Sequence, residues 1–400
     1  MRMIVPLAVF AVLAVPSGCS KDAPTKTAAP ADKAAPADKA APEKKATPDK
    51  KAAPAEKAAP AEAAAPVDKG AIKEAINRGI KFLRSQQDAQ GSYGKYPGIT
   101  GMVVEAFAAS PKKYRADDGP FVRKAVEWLA SLQKKDGAIY DQNLPSYNTA
   151  LSLIALRAVD SEKYKDVIAK AQGFLAKLQS DEGEDYKKTD KFFGGIGYGS
   201  DERPDLSNLQ LALEALKESG FSDKKTYDNA IVFLNRVQNR SETNDMAWAK
   251  DDGGFVYAPN ESKAQSAKFE SYGSMTYAGI KSLMYCNVPK TDPRVVEGFK
   301  WIGANWDVTQ HPGMGDTGLF FYYQTMSKTL SLYGDATITD RRGAKHDWYG
   351  ELSAQLLKVQ KEDGSWLNSN PKYWEGNKTL TTARALLALS YGFDSWGGGK

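Results

Sequence analysis

DWYGELSAQLLKVQKEDGSW, residues 347–366, is the stretch that decides the fold of this 400-residue chain. Leu352, Leu356 and Val359 recur at helical intervals, which predicts a helix with one apolar face. Gly364 predicts the stop that follows, because glycine adopts a positive φ without a Cβ penalty. The unit is therefore a helix, a Gln, an Asp-Gly turn and an aromatic residue, followed by a second, more apolar run.

This unit recurs along the chain, which is therefore predicted to consist of six copies. In the first four copies an aromatic-Leu pair precedes the Gln, and the degenerate fifth has Trp306 in the Gln place. An aromatic-Leu pair alone usually indicates core packing. Core packing does not explain why the Gln and the turn recur with it at matching positions along the chain. The Gln positions are Gln87, Gln133, Gln179, Gln238 and Gln360, and the turn aromatics are Tyr93, Tyr140, Tyr198, Phe255 and Trp366.

Six helical hairpins could form an open solenoid or a closed ring. The second run of each copy is rich in apolar and small residues, whereas the first carries Lys, Arg and Glu. An inner ring packed on both sides and a solvated outer ring need this difference. Insert lengths also vary widely, unlike the regular period of solenoids. We expect an all-α fold, a closed α/α toroid of two concentric rings, with inner helices around residues 102–108, 149–156, 207–216, 274–283, 319–330 and 380–389.

The repeat resembles that of squalene and other terpenoid cyclases and of protein prenyltransferase β subunits. The resemblance covers roughly residues 71–393, and residues 358–366 (KVQKEDGSW) are close to the cyclase repeat. It implies that the Gln residues and Trp366 have a structural role and tie adjacent outer and inner helices together. The resemblance is specific for the fold and much weaker for the activity.

The catalytic motifs of these relatives do not occur in the chain. The Asp-x-Asp-Asp acid of squalene-hopene cyclases has no counterpart, since Asp117-Asp118 and Asp251-Asp252 lack the preceding Asp. No Asp-x-Cys pair for zinc accompanies Cys286, whose apolar surroundings predict a buried, inert thiol. The thioester motif of complement-like toroids is also absent. We therefore expect neither a metal nor a cofactor.

The N-terminal residues predict export to the bacterial cell envelope. Residues 1–19 resemble a lipoprotein signal peptide, in which Cys19 becomes the lipidated first residue, although Pro16 stands where Leu is usual. An ordinary signal peptide is the alternative. Residues 20–69 form an Ala/Pro/Lys-rich stretch with no large apolar core, which predicts a disordered tether. Residues 70–400 form the repeat domain, which the tether would hold well clear of the membrane surface that carries the lipid anchor.

The charge balance argues against a nucleic-acid partner. The net charge is +5, and Arg2 together with residues 20–69 accounts for +3 of it. The repeat domain is thus close to neutral and lacks the excess of Lys and Arg that nucleic acids require. We expect a monomer.

Candidate site residues lie at the starts of the predicted inner helices, which line the cavity of such a ring. Capping of helix ends explains part of their polarity, and wall packing explains some of the aromatic residues. His311 begins a glycine-rich loop, and an exposed loop histidine or a helix cap is the plainer explanation for it and for His346. The expected ligand-binding residues are Tyr272, Ser274, Tyr277, Tyr322, Tyr323, Asn148, His346 and Asp347.

Three functions fit these residues. The first is a tethered binding protein whose central cavity holds a lipid, glycan or peptide. The second is a terpenoid-cyclase-like enzyme in which Asp316 or Asp205 supplies a non-standard acid. The third is a polysaccharide-acting enzyme with Glu270 and Asp316 flanking a sugar bond.

Overall fold

The computed structural model describes residues 67–199, 203–265 and 270–397. Cys19, the predicted signal peptide and almost the entire predicted tether lie outside these residues, so those predictions stay open. The outer helices are α1 (Lys69–Ser85), α3 (Pro120–Ser131), α5 (Lys165–Lys177), α7 (Lys224–Arg236), α9 (Pro293–Ala304) and α11 (Trp348–Val359). The inner helices are α2 (Pro97–Ala109), α4 (Pro145–Asp160), α6 (Leu206–Glu218), α8 (Gly273–Tyr285), α10 (Leu319–Tyr333) and α12 (Lys378–Tyr391).

The outer helices are amphipathic. In α1 the buried positions Ile72, Ile76, Ile80 and Leu83 follow one another at three- and four-residue intervals. The opposite face carries Lys, Arg and Glu in solvent. Asp68 starts the helix by accepting a hydrogen bond from the Ala71 amide at 2.7 Å. Burying each of the large aliphatic side chains contributes about 1.5–3 kcal/mol, so α1 is held mainly by this face.

The inner helices are buried on nearly every side. In α2 every residue from Pro97 to Ala108 is buried. Small residues permit this packing: a Cβ on Gly101 would lie 2.7 Å from the Leu151 carbonyl oxygen of α4. A helix that is apolar all round needs neighbours on all sides, and only an inner ring provides them.

The ring is closed. Each inner helix packs on the next, and α12 packs on both α10 and α2, so the last hairpin meets the first. The outer helix α1 likewise contacts α11 and α12 of the sixth hairpin. The inner helices run parallel, because contacts between neighbours keep the same order along both, as between Gly98 and Gly101 of α2 and Asn148 and Leu151 of α4. The predicted α/α toroid is confirmed.

The Gln of each regular copy joins consecutive outer helices. Gln179 Nε2 donates to the Gly194 carbonyl of its own turn at 3.0 Å and to the Thr226 carbonyl in the first turn of α7 at 2.9 Å. Gln360 makes the equivalent bonds to Gly364 (3.0 Å) and to Ala75 of α1 (2.9 Å), which closes the circle. The expectation that this Gln ties outer to inner helices is therefore corrected.

A threonine of the inner helix makes the link to the turn instead. The Trp366 amide donates to Thr382 Oγ1 of α12 at 3.0 Å, and three other copies contain the same bond. In the second copy the residue in this position is Ile139, which is fully buried, and not the expected Tyr140. In the third copy Ile196 is the fully buried turn residue, and Tyr198 is only partly buried. Burial of an apolar side chain, whether aromatic or aliphatic, is what the turn requires.

The fifth copy departs from the others without opening the ring. Trp306 Nε1 donates to Glu351 Oε2 in the first turn of α11 at 2.8 Å, so this indole replaces the Gln as the link to the next outer helix. A short antiparallel hairpin, β1 (Thr337–Thr339) and β2 (Lys345–Asp347), stands before α11. It is the one regular β element in the described residues and an exception to the all-α expectation.

Candidate functional site

The aromatic residues predicted to face the cavity pack between α8 and α10. Tyr272, Tyr277 and Tyr322 are nearly fully buried. The rings of Tyr277 and Tyr322 lie 5.8 Å apart, and Tyr322 stacks on His311 at 4.8 Å. Burial raises the pKa of the Tyr277 phenol. These side chains form a wall between two helices and do not line the central hollow, and a role for them in ligand binding stays a prediction.

His311 is a buried structural histidine. Its Nε2 accepts the Ser274 amide hydrogen at the start of α8 at 2.9 Å, and its Nδ1 lies 2.8 Å from the Thr317 carbonyl oxygen. These contacts place the ring hydrogen on Nδ1 and leave the imidazole neutral. Burial lowers the pKa of His311 to about 4 in agreement with this assignment. His311 thereby joins its own loop to the start of α8, and Ser274 takes part in this link through its backbone amide.

The polar side-chain groups of three other predicted site residues form hydrogen bonds with the backbone. The Tyr322 and Tyr323 hydroxyls donate to the carbonyl oxygens of Asp307 and Val308, each at 2.8 Å. Asn148 accepts the Gly98 amide hydrogen at 2.8 Å and so links the starts of α2 and α4. These bonds stabilise the ring and give the three side chains a structural role.

His346 and Asp347 lie on the outer side of the ring, in β2 and at the cap of α11. His346 Nδ1 is 2.9 Å from Glu351 Oε1, and its ring lies 5.4 Å from that of Trp306. Asp347 accepts the Gly350 amide hydrogen at 3.1 Å as the N-cap of α11. The structure therefore does not bring this pair to the cavity, because the helix that they precede is an outer one.

Asp205 and Asp316 occupy different environments. Asp205 is buried at the N-cap of α6 and accepts hydrogen bonds from the Asn208 amide (2.9 Å) and side chain (2.8 Å) and from the Tyr257 hydroxyl. Burial outweighs these bonds and raises the pKa of Asp205 to about 6. Asp316 is exposed and accepts a bond from Asn370 at 2.8 Å. Of the two predicted acids only Asp205 is buried, and Asp205, Asp316 and Glu270 all lie outside the lining of the central hollow.

The central hollow is narrow and polar. All six inner helices line it, through residues that include Met102, Tyr147, Glu214, Lys281, Lys328 and Arg384. It measures about 320 Å³ with the space open to solvent included, and the side chains leave room for about one water molecule. A lipid, a glycan or a peptide does not fit into this space.

A buried ionic network closes the hollow. Glu214 of α6 pairs with Lys281 of α8 and, at 3.2 Å, with Lys328 of α10. Lys328 also pairs with Glu218 at 2.8 Å. Next to them Glu105 of α2 accepts a hydrogen bond from the Tyr391 hydroxyl of α12 at 2.6 Å. Charges are costly to bury unless they are paired, so the network holds these five helices in one arrangement.

Burial is the largest influence on the pKa of Glu105. It raises the pKa of this carboxyl to about 7, with Glu214 and Glu218 acting in the same direction and Lys328 and the Tyr391 hydroxyl against it. The network contains three carboxyl groups and two ammonium groups, and protonation of Glu105 makes it neutral.

A second buried ion pair lies at the start of α10. Arg384 of α12 donates to Glu375 Oε1 at 2.9 Å, and Glu375 is fully buried. Glu375 also accepts the amide hydrogens of Phe320 and Phe321 and a bond from Asn368. A carboxylate is favoured at a helix N-terminus, so Glu375 caps α10 and orients Arg384 at once.

The repeat pattern does not reveal this network, but the inner-helix sequences contain a signal for it. Five of the six inner helices carry a charged residue inside their apolar part, and the sixth copy shows it as LTTARALLAL. Charges are rare in fully buried helices unless they are paired. These residues are Glu105, Glu214, Lys281, Lys328 and Arg384.

Exposed aromatic residues cluster at the end of the ring that carries the first residues of the inner helices, here called the entrance end. Tyr96 precedes α2 and Trp374 precedes α12, and both are about half exposed. Their rings make an edge contact at 5.0 Å. Tyr373 is exposed beside Gly318 at the start of α10. These three are the exposed large aromatic residues within the described ranges.

Backbone strain accompanies this aromatic cluster. Tyr373 and Trp374 have φ values of +55° and +66°, a region that side chains other than glycine seldom adopt. Two such residues in succession cost about 1–3 kcal/mol each, and the surrounding structure maintains them. Strain of this kind is typical of functional positions.

Cys286 is buried, as predicted, and burial raises the pKa of its thiol to about 12. Such a thiol stays protonated and is a poor nucleophile and metal ligand. Within the described residues, His, Cys, Asp and Glu side chains do not gather in groups of three or more that could hold a metal ion. In the same part of the chain, no helix has the length and apolar character to cross a membrane.

Comparison with known proteins agrees with the architecture. Residues 97–257 match the model of the squalene-hopene cyclase C-terminal domain. No curated protein matches the chain. Among solved structures, the type II terpene cyclase MstE from Scytonema, as a variant with its substrate geranylgeranyl dihydroxybenzoate, has a TM-score of 0.53 at 13% identity, with 82% of this chain and 99% of that chain covered. The apo form of MstE has the same TM-score and identity, with 82% and 100% covered. At these identities the likeness concerns the fold alone.

Proposed function

Since the chain has the repeat and the closed ring of the terpenoid cyclase and prenyltransferase toroid family, we propose that it is a binding protein that uses this ring as a scaffold and holds its ligand at the entrance end. One observation carries the proposal. Lys281, Lys328 and Glu214 occupy the axis where a cyclase needs an apolar chamber. With the axis filled by these charges, the exposed aromatic cluster is the candidate ligand site at the entrance end.

The proposed ligand is a carbohydrate. Tyr96, Tyr373 and Trp374 present ring faces and edges to solvent, and such rings pack against the apolar C–H faces of sugars. The partly exposed Tyr257, whose hydroxyl bonds Asp205 and whose carbonyl oxygen accepts the Leu206 amide hydrogen at the start of α6, adds a polar group at the same end of the ring. A lipid would require an enclosed apolar pocket, which the charged hollow of the described ring does not provide.

Titration calorimetry of the full chain with soluble chito- and cello-oligosaccharides and with peptidoglycan fragments tests this proposal. We expect binding by at least one class and a loss of about tenfold or more in Trp374→Ala, since aromatic anchors at a binding site often contribute more than 1 kcal/mol. Leu332→Ala is the matched control, because Leu332 is an exposed large apolar side chain at the other end of an inner helix. Binding of peptides alone, or equal losses in both variants, contradicts the proposal.

A second candidate function is acid catalysis by Asp205. A buried carboxyl with a raised pKa can protonate a substrate. Incubation with squalene and prenyl diphosphates, followed by product analysis, tests it. Product that disappears in Asp205→Asn but persists in Asp316→Asn would establish this function in place of simple binding.

We further propose that the ring is exported and anchored in the bacterial envelope through Cys19. The support is the sequence around that residue, a short apolar run followed by Ser17-Gly18-Cys19. Labelling of cells with a radioactive fatty acid should mark the wild-type chain and leave Cys19→Ala unlabelled. A labelled Cys19→Ala chain, or an unlabelled wild type, would contradict the anchor.

A further inference from the structure

The larger hollow of the described ring lies on its outer wall. It is a groove of about 880 Å³, with the space open to solvent included, between α1 and the segment after α2. Asn77, Ile80, Lys81, Arg84, Lys112 and Tyr114 line it together with Ser85. The groove itself has a cavity volume of about 520 Å³, in the range of small-molecule sites in proteins, whereas the axial hollow has about 10 Å³.

The groove is cationic and its cations lack anionic partners. Lys81, Arg84 and Lys112 converge on it, and no carboxylate is among the lining residues. Within the described residues these three side chains make no ion pair, whereas the neighbouring Lys113 pairs with Asp394 at 2.8 Å. Three unpaired cations in one concave surface raise the local concentration of anions.

Aromatic rings support two of the three cations. The Arg84 guanidinium lies 4.3 Å from the centre of the Phe121 ring, and Lys112 Nζ lies 6.0 Å from that of Tyr114. Cation–π contacts of this kind contribute about 0.5–1 kcal/mol at exposed sites and restrict the position of the charge. Arg84 and Lys112 are therefore held at opposite walls, with Lys81 one turn from Arg84 on α1.

We propose that this groove binds a phosphate ester. A planar guanidinium forms paired hydrogen bonds with phosphate oxygens, and two ammonium groups neutralise the remaining charge. Ile80 and the Tyr114 ring supply an apolar wall for the organic part of the ligand. The phosphate ester can belong to a soluble metabolite or to the headgroup of an anionic phospholipid, which share this chemistry.

The test uses the full chain with Cys19→Ala, so that no lipid is attached, and two probes. Glycerol 3-phosphate is titrated in solution, and sedimentation is measured with phosphatidylcholine vesicles that contain or lack phosphatidylglycerol. We expect binding of at least one probe, a tenfold or greater loss in a Lys81→Gln, Arg84→Gln, Lys112→Gln variant, and weakening with added salt.

A matched control separates a site from general charge. Lys170, Lys250 and Lys361 are exposed and lie outside the groove, and their replacement by Gln removes the same net charge. A Lys81→Gln, Lys112→Gln double variant keeps the Arg84 contact with Phe121 and guards against misfolding of the triple variant. Binding of glycerol 3-phosphate without vesicle binding assigns a soluble ligand, and the reverse assigns a headgroup. No binding of either probe, or equal losses in control and groove variants, overturns the proposal.

Discussion

At the scale of single residues, the turn glycines combine two demands. Gly364 has a φ of +84°, and a Cβ there would lie 2.6 Å from the Arg78 carbonyl oxygen of α1. Four other turn glycines, Gly91, Gly137, Gly194 and Gly253, have the same combination of positive φ and a nearby carbonyl of the next outer helix. Each of these positions sets the distance between neighbouring hairpins.

We predict that Gly364→Ala lowers the free energy of unfolding by about 2–5 kcal/mol. The left-handed backbone costs an alanine about 1–2 kcal/mol, and the clash with the Arg78 carbonyl adds about 1–3 kcal/mol. Gly220→Ala is the control, because Gly220 has a φ of +86° and open space around it. Urea unfolding of both variants measures the difference, and equal losses would show that the close approach is unimportant.

At the scale of elements, the inner helices are set by their charged residues as much as by their apolar ones. Glu105 and Tyr391 connect the first and last inner helices. Lys328 connects α10 to α6 through Glu214 and Glu218. Apolar packing alone is tolerant of rotation about a helix axis, whereas an ion pair fixes which residue faces the axis.

The raised pKa of Glu105 predicts how the stability of the fold depends on pH. Because its folded pKa is about 7 and its ordinary value 4.5, the folded state binds a proton between these values that the unfolded state has lost. Stability therefore falls as pH rises from about 4.5 to 7. Glutamine does not titrate, so we expect Glu105→Gln to lose less stability than the wild type as the pH rises across this range. Urea midpoints at pH 5 and pH 7.5 measure it, and a constant difference would contradict it.

At the scale of the whole molecule, closure makes every hairpin an internal one. The helix α12 packs on α10 and α2, and α1 packs on α11 and α12. An open solenoid loses a single interface when its last repeat is removed. A closed ring loses two, and its apolar inner helices become exposed on both sides of the gap.

We predict that a chain ending at Gly334, which lacks the sixth hairpin, does not form a stable ring. The flanks of α2 and α10 would be solvent-exposed, at a cost of about 25 cal/mol per Å² of apolar surface. Circular dichroism and a urea titration should show no cooperative transition and a tendency to aggregate. A soluble truncated chain with a sharp transition would mean that closure contributes little.

The repeat architecture follows from the sequence alone. Gln, glycine and apolar residues recur in a fixed order, and each has a local physical reason: an amide that bonds two carbonyls, a positive φ, and an apolar helix face. The closed ring could also be predicted, since residues such as Val103 and Leu386 lie in helices that are apolar on all sides and need neighbours on both flanks. Even the degenerate fifth copy was recognisable, with Trp306 in the place of the Gln.

The tertiary structure decided what the centre of the ring contains. The sequence places Tyr272, Tyr277 and Tyr322 at the starts of inner helices, but rotation of α8 and α10 about their axes turns them into the wall between the helices. The same rotations bring Glu214, Lys281 and Lys328 onto the axis from three different copies. Charges so far apart in the chain meet only when neighbouring hairpins pack, because side-chain direction is set by packing against the adjacent helices and not by the local sequence.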